Sequence, residues 1–118
     1  MSCPSFIAQS FAVRTAAHLL HLSTTSYAQH VALNSFYDGL VPLIDAYAET
    51  YQGAHGLIKS YPSKTPPTDS ALALLEDYMD LVKEEQEEDE DRSEALSNIL
   101  AEIEQLAATT IYKLRFLK

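Results

Sequence analysis

Apolar residues recur at every third or fourth position along most of this chain, and no useful stretch alternates with a period of two. That pattern predicts helices throughout. The first spans residues 5–22, with Phe6, Ile7, Phe11, Val13, Ala17 and Leu20 as a mixed apolar face. Ser23, Thr24, Thr25 and Ser26 then compete for backbone hydrogen bonds and make a turn or an N-cap. A second helix follows over 27–54. At about 100° per residue, Phe36, Tyr37, Leu40, Leu43, Ile44, Tyr47 and Tyr51 form one apolar arc. His30, Asn34, Asp38, Asp45, Glu49 and Gln52 fall on another. Pro42 is an awkward guest inside this helix, but the periodicity runs through it unbroken. Gly53 and Gly56 suit its C-terminal cap.

Residues 57–68 read as a linker, with Pro62, Pro66 and Pro67 favouring extended chain. Twelve extended residues reach roughly 40 Å, about the length of the second helix, which permits a crossover connection instead of a tight hairpin. Thr68 or Asp69 is placed to cap a third helix over 70–88, with Leu72, Leu75, Met79 and Val82 as its stripe. The acidic run from Glu84 to Asp91 opposes a helix dipole at that end, so a break is expected close by. Asp91 with Glu94 resembles a capping box that opens a fourth helix over 92–117. Leu96, Ile99, Leu100, Ile103, Leu106, Ala107, Ile111 and Leu114 form its apolar face, and Lys113, Arg115 and Lys118 complement its C-terminal end. The expected architecture is a single all-α domain over 1–118, a four-helix bundle with a crossover between the second and third helices.

Composition narrows the function classes. The 118 residues are 47% hydrophobic and 21% charged, as in a folded domain with one core. The net charge of −9 repels phosphate backbones, and the first 58 residues hold one Lys or Arg, Arg14, so direct nucleic-acid binding is not expected. Cys3 is the only cysteine, which excludes an intrachain disulfide and a cysteine-based zinc site. Near a fraying terminus it is read as inert. The first 17 residues lack the features of a secretory signal, and no apolar run approaches the roughly 18 residues that span a bilayer. A soluble cytoplasmic protein with no membrane partner is expected. Hydrolase and nucleotide-binding motifs are absent.

The candidate chemistry lies between His18 and Gly53. His18, His21 and His30 precede Asp38, Asp45 and Glu49, and imidazoles with carboxylates at helical spacing are what a metal site in a helix bundle needs. Fifteen positions separate His30 from Asp45. On one straight helix that is about 22 Å, too far to share an ion. Two copies of the second helix, antiparallel about a two-fold axis, would bring His30 of one chain to Asp45 and Glu49 of the other. The last two are i,i+4 neighbours and can chelate together. Asp38 could add an oxygen ligand. The blander assignment is a solvated or interface face. His55 reads as a helix-end residue, Tyr37, Tyr47 and Tyr51 as core, and Glu84 to Asp91 as a solvated end.

The spacing of His30, Asp45 and Glu49, with a histidine upstream on a preceding helix, resembles the mini-ferritins (the Dps group) of the ferritin-like superfamily. In that family a ferroxidase site lies at a dimer interface, with two histidines from one subunit and an Asp/Glu pair from its partner. His30 matches the second histidine, and Asp45 and Glu49 match the carboxylates. His18 stands at the family's separation and His21 at the position of its His-Trp pair, so either matches the first. A nearer likeness is to small bacteriophage-encoded proteins of ferritin-like type. It rests on His18-Leu19-Leu20-His21, Thr24, Ser26-Tyr27-Ala28-Gln29-His30, Phe36-Tyr37-Asp38 and Glu49-Thr50-Tyr51-Gln52-Gly53.

These resemblances imply a homo-oligomer, at least a dimer and up to a cage, in the host cytoplasm if phage-encoded. It would bind iron, or manganese or zinc, through His18, His21, His30, Asp38, Asp45 and Glu49, with Fe(II) oxidation as the implied activity. Three departures weigh against full function. Leu22 replaces a tryptophan, no Glu-x-x-His is present to build the intra-bundle di-iron site, and the lysine-rich DNA-holding arm is missing. The alternative is a non-enzymatic helical interaction protein that kept the fold and meets a basic protein partner through its acidic surface.

Overall fold

The computed structural model describes residues 2–65, 70–88 and 92–118. Four helices account for most of them: α1 (Cys3–Ser23), α2 (Tyr27–His55), α3 (Ala71–Glu88) and α4 (Glu94–Phe116). Side-chain caps set several boundaries. Ser2, Ser26 and Ser93 precede α1, α2 and α4, and each accepts a hydrogen bond from the backbone N–H three residues on. Ser70 accepts from Ala73 N at 3.3 Å in the same way before α3. Ser93 therefore caps α4 where a box opened by Asp91 was expected; Asp91 itself, and the Thr68 and Asp69 caps foreseen for α3, lie outside the described residues. Gly56 closes α2 with φ +94°, a conformation that favours glycine, and donates its N–H to Gln52 O at 2.8 Å.

Each helix has two main neighbours: α1 and α4 both lie against α2 and α3. Leu20, Ser23, Thr24, Gln29, Ala71 and Leu114 line one cavity, so that end of the bundle gathers the end of α1, the start of α2, the start of α3 and the end of α4. Cys3, Tyr51, Glu88 and Leu96 line another at the opposite end. The chain between α2 and α3 therefore runs back along a body 43 Å long, with Lys64 and Thr65 beside Phe11 and Leu19 of α1. This is the crossover that linker length allowed. No helix among the described residues is long and apolar enough to cross a membrane.

The core joins Phe6, Ile7, Val13 and Ala17 of α1 to Leu33, Phe36, Leu40, Ile44 and Tyr47 of α2. Leu74, Leu75, Tyr78 and Val82 of α3 and Leu96, Leu100, Ile103 and Ala107 of α4 complete it. Two expected stripes turn out to be rotated. Phe11 is exposed, and Ser10, Ala16 and His21 take its place in the buried face of α1. In α3, Leu72 and Met79 are only half-buried, while Leu74, Tyr78 and Glu85 point inward. The reason is polar pairing. Ser10 donates to Phe6 O at 2.8 Å and accepts from Tyr78 Oη at 2.8 Å, so both hydroxyls can be buried. Pro42 sits on the exposed side of α2, which continues through it.

Candidate metal centre

Helix α1 ends and α2 begins within four residues, and this short turn brings the three early histidines together. His21 is buried, while His18 and His30 are half-buried. His21 donates Nδ1–H to the backbone carbonyl of His30 at 2.7 Å, and His30 donates Nδ1–H to that of His21 at 2.8 Å. A carbonyl can only accept, so both Nδ1 atoms carry protons. The His21 carbonyl lies in the last turn of α1, where no helical N–H reaches it, so His30 serves as its cap. The two rings stack with centroids 3.6 Å apart and planes at 18°.

His18 lies on the other side of His21, at 5.8 Å between centroids, and stacks on Tyr37 at 4.1 Å. Tyr37 is buried and donates its hydroxyl to Asn34 Oδ1 at 2.7 Å, which fixes the plane on which His18 rests. His21, His30, Tyr27, Val31 and Asn34 line an open cavity of about 300 Å³. With Nδ1 engaged, a neutral imidazole presents Nε2 as its free lone pair. Donation of the second ring N–H to a backbone carbonyl is the usual companion of metal ligation by histidine.

The carboxylates do not join this cluster. Asp38, Asp45 and Glu49 are exposed on the outer side of α2. Among the described residues no three His, Cys, Asp or Glu side chains come together as a metal site. One chain thus gathers the imidazoles where α1 meets α2 and leaves the carboxylates further along α2, as the helical rise from His30 requires. His55 is the last residue of α2 and lies against Tyr51, as expected of a helix-end residue.

Glu85 departs from the expectation of a solvated acidic end. Glu84, Glu87 and Glu88 are exposed, whereas Glu85 is buried and its Oε2 accepts from Tyr47 Oη at 2.7 Å. Burial pushes the Glu85 carboxyl above the usual range; the Tyr47 hydrogen bond and the Arg92 charge act against it, and Glu88 reinforces it. Burial likewise raises the Tyr47 phenol, helped by Glu85. Helical spacing carried a signal: Glu85 continues the series Ala71, Leu74, Leu75, Tyr78, Val82. Cys3, expected to have no notable surroundings, is half-buried at the start of α1 and shares a cavity with Tyr47, Glu85 and Arg92.

Comparison with known sequences and structures finds one family, described as "Family of unknown function (DUF5856)", whose pattern matches residues 21–114. No curated protein and no solved structure matches.

Proposed function

The chain belongs to that family of unknown function, and from the geometry of its histidine cluster we propose a ferritin-like protein that binds a divalent metal between two copies of itself. The observation that carries this reading is the reciprocal bond between His21 and His30. It commits both Nδ1 atoms to backbone carbonyls and leaves Nε2 for a metal. His18 or His21, with His30, supplies the nitrogen side. Asp45 and Glu49 of a second copy, with Asp38 as a further oxygen donor, supply the other. Exposure of all three carboxylates leaves them accessible to such a partner.

Imidazole with carboxylate suits iron, manganese or zinc. With Fe(II) as substrate, the activity would be its oxidation by oxygen or peroxide, in the host cytoplasm if the chain is phage-encoded, as the likeness to mini-ferritins and phage ferritin-like proteins implies. Titration with Fe(II) and Zn(II), alongside light scattering, tests the reading. Dimers that bind metal, with binding lost in Asp45→Asn, support it; a monomer that binds none overturns it.

A second reading draws on the same bonds. His30 caps α1 and His21 stacks beneath it, so both histidines have a structural task without any metal. A helical interaction protein that meets a basic partner through Asp38, Asp45, Glu49 and the acidic end of α3 would then remain. Its mark is a melting temperature that metals leave unchanged.

A further inference from the structure

The end of the bundle far from His18, His21 and His30 holds a carboxyl whose surroundings disfavour its charge. Glu85 is 5% exposed, and Tyr47, which bonds to it, is 1% exposed and packs edge-on against Phe6 of α1. Arg92, on the segment entering α4, donates to the backbone carbonyls of Glu85 and Gln86, the latter at 3.0 Å. Both carbonyls belong to the last turn of α3. One short stretch of α3 is therefore tied to α2 through its side chain and to the start of α4 through its backbone.

The titratable and charged groups around Glu85 come from every adjoining element: Cys3 of α1, Tyr47 and Tyr51 of α2, Glu88 of α3 and Arg92 before α4. With Leu96 they line a cavity of about 210 Å³. That is room for several waters at about 30 Å³ each. An ionised Glu85 would need such hydration, because Tyr47 is the hydrogen-bond donor seen on its carboxylate among the described residues.

We propose that Glu85 is a proton-controlled latch on this end of the bundle. Protonated, it holds α3 against α2; ionised, it draws water into the cavity and loosens the last turns of α3 and the entry to α4. The sign follows from linkage. Burial makes the folded protein bind this proton more tightly than the unfolded chain does. The stabilisation is thus full at low pH and is lost as pH rises through the folded-state titration of Glu85.

Amide hydrogen exchange over residues 80–88 and 94–98, in the full chain and in Glu85→Gln, tests the latch. Glutamine keeps an acceptor for Tyr47 and never ionises, and the ratio of the two proteins cancels the intrinsic pH dependence of exchange. The wild-type to Glu85→Gln ratio should be near one at low pH and rise at least about tenfold toward alkaline pH. A ratio flat from about pH 4 to 9 overturns the proposal. Should Glu85→Gln fail to fold, Tyr47→Phe supplies the test. Loss of the hydroxyl that stabilises the carboxylate must move the onset of rapid exchange to higher pH relative to wild type, and an unmoved onset is equally fatal.

Discussion

His21 and His30 each donate a ring N–H to the other's backbone carbonyl, at 2.7 and 2.8 Å, while their rings stack at 3.6 Å. The arrangement joins the last turn of α1 to the first turn of α2 and fixes both tautomers at once. Because the acceptors are backbone atoms, replacing one histidine leaves the other's hydrogen bond intact, and only the ring contact is shared. His21→Ala and His30→Ala should each lower stability by about 1–3 kcal/mol. The double variant should reveal a coupling of about 0.5–1.5 kcal/mol from the stacked rings. Urea denaturation of the four proteins measures this, and strict additivity would count against the stack.

Ser10 and Tyr78 offer an asymmetric pair. Tyr78→Phe removes one buried hydrogen bond but leaves Ser10 bonded to Phe6 O, so a loss of about 1 kcal/mol is expected. Ser10→Ala strands the Tyr78 hydroxyl where it is 1% exposed, a cost of about 1–3 kcal/mol. The serine substitution should be the more damaging in chemical denaturation.

Pro42 interrupts the hydrogen bonding of α2 without ending the helix, since it sits on the exposed face and deprives only the Asp38 carbonyl of a donor. Pro42→Ala should therefore raise the melting temperature, by an amount worth up to about 3 kcal/mol. A lower melting temperature would show that the proline sets the path of α2.

Gly39 marks the close approach of α2 and α4: a Cβ there would stand 3.3 Å from both δ-methyls of Leu106. Leu106 is half-buried and its methyls can turn aside, so Gly39→Ala should stay within about 1 kcal/mol of wild type, helped by helix propensity. Gly39→Leu has no such room and should cost about 1–3 kcal/mol by overpacking. Thermal melts of the two variants compare them directly.

Much of the fold was legible in the chain because its helices are long and their apolar positions regular. The expected ranges 27–54 and 70–88 differ by one residue at one end from Tyr27–His55 and Ala71–Glu88, and the crossover followed from linker length. Errors arose where polar groups are buried in pairs. Hydropathy alone puts Ser10 and Glu85 outside, because it carries no knowledge that Tyr78 and Tyr47 wait across the core to bond them. The candidate site was half legible. Spacing brought the three histidines into consideration and placed Asp38, Asp45 and Glu49 outside the core. The carbonyl contacts that set the imidazole tautomers depend on how the α1–α2 turn folds, and no residue pattern encodes that.

A metal site shared between two chains, as proposed, is tested most directly by mixing two variants. His30→Ala spoils the nitrogen half and Asp45→Asn the oxygen half, so neither protein alone should bind Fe(II) tightly. In a two-fold dimer formed from one of each, one site inherits both defects and the other inherits none. Unfolding the variants together, refolding them and measuring bound metal should recover about half the wild-type stoichiometry per mixed dimer. No recovery on mixing, or wild-type binding by either variant alone, would contradict a site shared between chains.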